Sequence, residues 1–211
     1  MAASGECYVP TVGNGAARDP FDVALALMAE QGFDTTSMAQ IAEATGIPAD
    51  DFVRTVGAKD AIVLAVAEDM LVAVIDALGD IDAQTPMVEA LMAAHARVVN
   101  DIIDEKGAVP LERMRCMSKT ITSSSELQKK LAAQRTRMLS VVLADHLDTT
   151  TEDRRVKQGL KLWSAVLAAT YLDVLDKHGR FDPGVDHESP EGMRARLHRV
   201  FRIVTGRSAK A

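Results

Sequence analysis

Apolar side chains recur along this sequence at three- and four-residue spacing and scarcely ever alternate with period two, so the pattern predicts helices throughout. A first helix begins at Asp19-Pro20: Asp can cap the free amides, and Pro at the first helical position forfeits no hydrogen bond. Phe21, Ala24, Leu25 and Met28 form its inward stripe, and Gly32 ends it. Ser37 and Gln40 have the spacing of a capping box for a second, short helix whose buried face is Ile41 and Ala44. Gly46 permits a tight turn, Pro48 opens a third helix that Gly57 closes, and Lys59 heads a long fourth helix to about Leu78.

Two short helical patterns meeting at Ala44-Thr45-Gly46-Ile47 make a helix-turn-helix unit, at about 37–56. In such a unit the second helix is the one that enters the DNA major groove. Beyond it, Pro86 opens a fifth helix with Val88, Leu91, Met92, His95, Val98, Val99 and Ile102 on one face. A sixth runs from Pro110 to about Ser118, and a seventh from about Ser125 to His146. The eighth, from about Glu152 to His178, carries Val156, Leu160, Trp163, Leu167, Thr170 and Val174. Pro183-Gly184 interrupts, and Pro190 starts a last helix to about Thr205. The expected fold is all-α, about nine helices, with residues 1–17 a disordered arm, 18–60 a three-helix head and 61–211 a larger helical domain.

Composition supports a sizeable helical core: of 211 residues 47% are apolar, with Ala, Leu, Val and Met abundant and only 4% aromatic. Cys7 and Cys116 are far apart and form no CxxC, so neither a disulfide scaffold nor a zinc ribbon is expected, and a reducing cytoplasm is. The start of the chain shows no signal peptide pattern. The most apolar stretch, 61–78, is broken by Glu68, Asp69 and Asp76, so no membrane partner is expected.

Charge changes the picture. Through residue 96 the only basic side chains are Arg18, Arg54 and Lys59, against fifteen Asp and Glu, which makes this part −12 and the rest +6. A nucleic-acid module ordinarily has the opposite sign.

Residues 18–75 resemble the N-terminal domain of the tetracycline-repressor (TetR) family of bacterial transcriptional regulators. The resemblance is carried by Ala24, Leu27, Ala29, Glu30 and Gly32-Phe33, then Ser37, Ile41-Ala42, Gly46-Ile47, Arg54 and Lys59. More loosely, the segment with Arg113, Arg115, Ser125, Glu126, Leu127, Gln128 and Arg135 resembles the C-terminal domain of one actinobacterial subgroup. The resemblance implies a homodimeric, ligand-responsive regulator, in the repressor manner, on a palindromic operator, with 61–211 as the ligand-binding and dimerisation domain. The alternative is a TetR-like fold that keeps a small-molecule or partner-binding role and has lost DNA contact.

By that resemblance the DNA-facing positions are Ser37, Ala49, Asp51, Arg54, Thr55 and Lys59, reading double-stranded DNA. Two departures stand out. Val53 and Thr55 fill positions that in the family usually hold Tyr or His, and Asp50 and Asp51 lie where a carboxylate repels phosphate. Asp50 and Asp51 also suit the first turn of a helix, where acids are favoured by the dipole. Met92, His95, Met114, Met117, Met138, Trp163 and Tyr171 are the candidates to line a cavity for a small apolar or amphipathic effector, since Met adapts to irregular apolar shapes. The bland reading of these Met residues is core, and of His95 a hydrogen-bonded core residue. Arg97, Arg113 and Arg115 read as surface charges, or as a greeting for an anionic head group.

Ala165, Ala168 and Ala169, with Leu197, Val200, Phe201 and Val204, suggest a two-fold interface through the last two helices. Enzymatic chemistry is not expected. His146 with Asp145 and Asp148 lacks a third-ligand pattern, Gly13-Asn14-Gly15 is no phosphate loop, and no metal or other cofactor is implied.

Overall fold

Side chains that satisfy free amides start the first two helices where the sequence places them. In the computed structural model, which describes residues 19–82, 84–172 and 190–206, helix α1 spans Pro20–Gln31, and the Asp19 carboxylate accepts the Phe21 amide at 3.0 Å. Helix α2 spans Met38–Thr45 behind a complete capping box: Ser37 Oγ accepts the Gln40 amide at 3.2 Å and Gln40 Oε1 accepts the Ser37 amide at 2.8 Å. Gly46 ends α2 at φ 70°, a left-handed conformation that costs glycine nothing and an L side chain a good deal. Then follow α3 (Ala49–Thr55), α4 (Lys59–Gly79), α5 (Met87–Ile103), α6 (Leu111–Thr122), α7 (Ser125–His146), α8 (Arg154–Leu172) and α9 (Pro190–Thr205). The expected arm at 1–17, Val174, His178 and the break at Pro183-Gly184 lie outside the described residues.

The protein is all-α, with no strand among the described residues. Three details differ from expectation. Helix α6 runs a turn past Ser118, because Thr120 and Ile121 are buried and Thr120 Oγ1 donates to the Cys116 carbonyl at 2.7 Å. Helix α8 begins at Arg154, capped by Asp153, whose carboxylate accepts the Arg155 amide at 2.7 Å. Ala44 is exposed, so α2 buries Ile41 alone. None of the described helices is long and apolar enough to cross a membrane.

The chain divides into two compact units that share the long helices α4 and α7. The first comprises the described residues up to Asp69 together with Val109–Leu131. Its core includes Leu25, Met28, Phe33, Ile41, Phe52, Ile62, Met114 and Leu127. Helix α6 lies along α1. At their starts, the Arg113 guanidinium reaches Asp22 at 2.6 Å and Asp19 at 2.9 Å, over the face of Phe21. At their ends, Ser123 Oγ accepts the Phe33 amide at 2.8 Å and Ser124 Oγ donates to the Asp34 carboxylate at 2.8 Å. The two helices therefore run parallel, fastened at both ends. A division at 60/61 puts α6 in the larger domain; by packing, α6 goes with the head.

The second unit comprises Met70–Ala108 and the residues from Ala132 onward. Here α5, α8 and α9 pack on one another, around Leu91, Met92, Val98, Ile102, Val156, Trp163, Val166, Val200 and Phe201. Gly159 on α8 admits the Met87 thioether, which a Cβ at that position would meet head-on. Arg194 on α9 donates to the Asn100 side chain on α5 at 2.8 Å.

The Arg113 ion pairs are half-buried, so their worth is that of a good surface network rather than a core contact. Replacing Arg113 by Met is expected to destabilise the protein by about 1 kcal/mol, lowering the melting temperature by about 2–4 °C, as read by circular dichroism. Lys157→Met, which breaks a pair between two exposed side chains, is expected to leave the melting temperature within error.

Candidate functional site

The helix-turn-helix is formed. Phe52, fully buried, roots α3 in the core of the first unit, and Gly46 sets the turn from α2. That leaves Val53, Arg54 and Thr55 exposed and Ala49 and Asp51 half-exposed. Ser37 is exposed at the start of α2, its hydroxyl both accepting from the Gln40 amide and donating to Gln40 Oε1 at 2.9 Å. The six expected DNA-facing residues therefore cluster about α2, α3 and the start of α4.

The cations of this cluster are engaged inside it. Arg54 Nη2 pairs with Asp51 at 2.7 Å, one helical turn back on α3. Lys59 Nζ donates to the carbonyls of Phe33 at 2.7 Å and Thr36 at 3.0 Å and lies 4.4 Å from the centre of the Phe33 ring. The first turn of α4, where positive dipole and free amides would suit a phosphate, already holds a carboxylate. Asp60 Oδ1 accepts the Ala61 amide at 3.0 Å and Oδ2 accepts from Lys130 at 2.8 Å. That Lys130 hydrogen bond holds the Asp60 carboxyl below its ordinary range.

The charge division seen along the sequence is softened in space. The described residues of the first unit carry twelve Asp and Glu and seven Lys and Arg, and five of those seven come from α6 and the start of α7. Arg113 and Lys130 answer Asp19, Asp22 and Asp60. The sequence does not announce these pairs, since their partners stand 70 to 94 residues apart and no local pattern links them.

The expected effector-lining residues divide between the units. Met114 and Met117 are buried in the first unit, on α6; Met92, His95, Met138 and Trp163 belong to the second, and the side chain of Tyr171 lies outside the described residues. Of these, His95 and Trp163 are brought together, ring centres 4.6 Å apart and planes tilted by 55°. His95 Nδ1 lies 3.0 Å from the Leu91 carbonyl, which can only accept, so Nδ1 carries the proton. Burial, helped by the charge of Arg135 and opposed by that hydrogen bond, pushes the imidazole down to about 4, so the ring is neutral at pH 7.

Arg97 pairs with Asp80 at 2.7 Å and Arg115 lies 3.7 Å from Glu112, so these arginines, like Arg113, meet carboxylates of their own chain. The interface residues are corrected in part. Leu197, Val200 and Phe201 are buried within the single chain, because α9 turns that stripe onto its own helices. Ala165 and Ala168 on α8 and Ala195 and Ile203 on α9 are exposed instead, Ile203 at 72%. Among the described residues no group of three or more His, Cys, Asp or Glu is placed to hold a metal ion.

Two outcomes follow from this geometry. Because the folded state holds His95 neutral and the unfolded chain takes up a proton near pH 6.5, stability present above pH 6.5 falls as the pH drops from 6.5 towards 4. His95→Gln is expected to flatten that limb of a urea-denaturation profile; an unchanged limb contradicts the assignment. Lys59→Met leaves two turn carbonyls without their donor and is expected to cost about 1–3 kcal/mol in stability, read by thermal melting, so any loss of duplex binding in that variant comes with a less stable head.

Residues 21–66 match the family model for bacterial regulatory proteins of the tetR family. No curated protein matches the chain. Among solved structures, the chain is similar to PfmR, a TetR family transcriptional regulator from Thermus thermophilus, at 21% identity over 87% of this chain and 97% of that one. The TM-score is 0.42, a likeness too slight to place any residue. The matched residues 21–66 span nearly all of α1, the whole of α2 and α3 and the start of α4, so the chain's similarity to the tetR family of bacterial regulatory proteins falls on the helix-turn-helix.

Proposed function

We propose that this protein is a ligand-responsive transcriptional regulator, a repressor that acts inside the cell as a homodimer on a palindromic operator. Residues 18–60, buttressed by α6, serve as the DNA-binding domain, and the rest of 61–211 as the ligand-binding and dimerisation domain. The observation that carries the reading is a formed helix-turn-helix in the stretch that matches the family. Each α3 enters the major groove of one half-site, and two half-sites about one helical turn apart mirror the two-fold axis.

On this reading Ser37, Thr55 and the α3 surface from Ala49 supply short polar and apolar contacts. Arg54 exchanges Asp51 for a phosphate or base edge. Lys59 acts chiefly by holding the α1–α2 turn. The effector, small and largely apolar, binds within the larger domain near Met92, His95, Met138 and Trp163. It shifts the heads only to the extent that it prefers one arrangement of them. The exposure of Ala165, Ala168, Ala195 and Ile203 favours close helix packing with a second copy.

The Asp51–Arg54 pair and the engaged Lys59 also favour a second reading, a TetR-like protein that binds ligand or partner without DNA. Selection from a random duplex library at about 20 mM salt separates the two, since nonspecific affinity is greatest there. A regulator enriches a palindrome; a protein that retains no duplex, yet melts cooperatively, is the second kind. In the first case Asp51→Asn, which frees Arg54 and removes a negative charge, is expected to tighten binding. The gain is about threefold for each phosphate at about 7 Å, by gel shift, and an unchanged affinity removes the electrostatic part of the argument.

A further inference from the structure

The side chain of Trp163 is fully buried, and its indole Nε1, a donor only, meets no acceptor. An orphaned donor in an interior is costly and calls for a partner. The ring beside it belongs to His95, whose Nδ1 proton is committed to the Leu91 carbonyl and whose Nε2 therefore presents a lone pair. Donor and acceptor thus stand on adjacent rings from α8 and α5, in a unit whose core is chiefly apolar and whose other buried polar side chains include Gln134, Thr170 and Arg196.

We infer that Trp163 and His95 form the polar end of an interior site whose ligand is an uncharged apolar molecule bearing a hydroxyl group. The hydroxyl oxygen accepts from Trp163 Nε1 and its proton is donated to His95 Nε2. An anion would face that lone pair and lose its hydration on entry, a desolvation cost that outweighs the attraction of Arg135, which lies beside His95 and not beside the indole N–H. A cation is disfavoured by the Arg135 charge, which already acts on His95. The inference rests on the ligand-responsive reading above and names the chemistry of its effector. Neither Arg97, Arg113 nor Arg115, each beside a carboxylate, takes part.

The chain has one tryptophan, so its emission reports this site alone. The test is calorimetric titration of the full chain with 1-octanol, octanoate and octylammonium, with the emission followed in parallel. Octanol is expected to bind, with both charged probes at least about tenfold weaker, a difference of about 1.4 kcal/mol. The emission is expected to shift to the red as the indole N–H gains an acceptor. Trp163→Phe keeps an aromatic ring and removes the donor, and is expected to weaken octanol about fivefold, the equivalent of about 1 kcal/mol. If that variant does not fold, the wild-type emission decides. Equal or tighter binding of octanoate, no heat with octanol, heat without an emission shift, or unchanged affinity in Trp163→Phe (a buried water alone satisfying the indole) would each overturn the site. Duplex binding measured without alcohol reports separately on the regulator reading: a duplex held without octanol binding removes only this site, and octanol bound without a duplex removes only the DNA role.

Discussion

The ammonium of Lys59, held by the carbonyls of Phe33 and Thr36 above the Phe33 ring, closes the turn between α1 and α2 from the first residue of α4. One side chain thereby ties together the end of the first helix, the approach to the second and the start of the long fourth. The arrangement has a cost in chemistry. The cation best placed to meet a phosphate is spent on shape, and the other, Arg54, is bound by the carboxylate one turn behind it. The head is thus stable in form while its surface stays short of free positive charge.

The same economy governs the buttress behind it. Helix α6 is not a remote part of an effector domain but a companion of α1, clamped at its start by Arg113 and at its end by Ser123 and Ser124. The acids that make the first ninety-six residues so negative are answered partly from α6 and α7. Local pKa behaviour agrees: Asp60 is lowered by Lys130, and Arg113 is raised by its hydrogen bond to Asp22.

What was legible in the sequence was whatever local chemistry decides. Asp19-Pro20, the Ser37–Gln40 box and Gly46 each fix a helix end through neighbours within a few residues, and each stands where the pattern puts it. The exposure of Val53, Arg54 and Thr55 followed, because a short helix rooted by one buried Phe52 leaves little choice of face. Partnerships were not legible. That Lys59 points at carbonyls, that Arg113 reaches α1, and that Leu197, Val200 and Phe201 face inward depend on contacts between distant segments, to which periodicity is blind. The expected effector-lining set divides in a way periodicity does not show, since Met114 and Met117 on α6 are buried in the first unit's core while Met92, His95, Met138 and Trp163 belong to the second.

The central claim is that the helix-turn-helix, proposed to read DNA, is formed while its cations are turned to internal use. The salt dependence of duplex affinity measures this most directly, because each phosphate neutralised by Lys or Arg contributes about −0.9 to the slope of log K on log salt. With Arg54 and at most Lys59 as the cations of the described helix-turn-helix in each head, the proposed dimer should give a slope no steeper than about −4. A slope near about −8 would mean that cations other than these carry the binding, and would contradict the account.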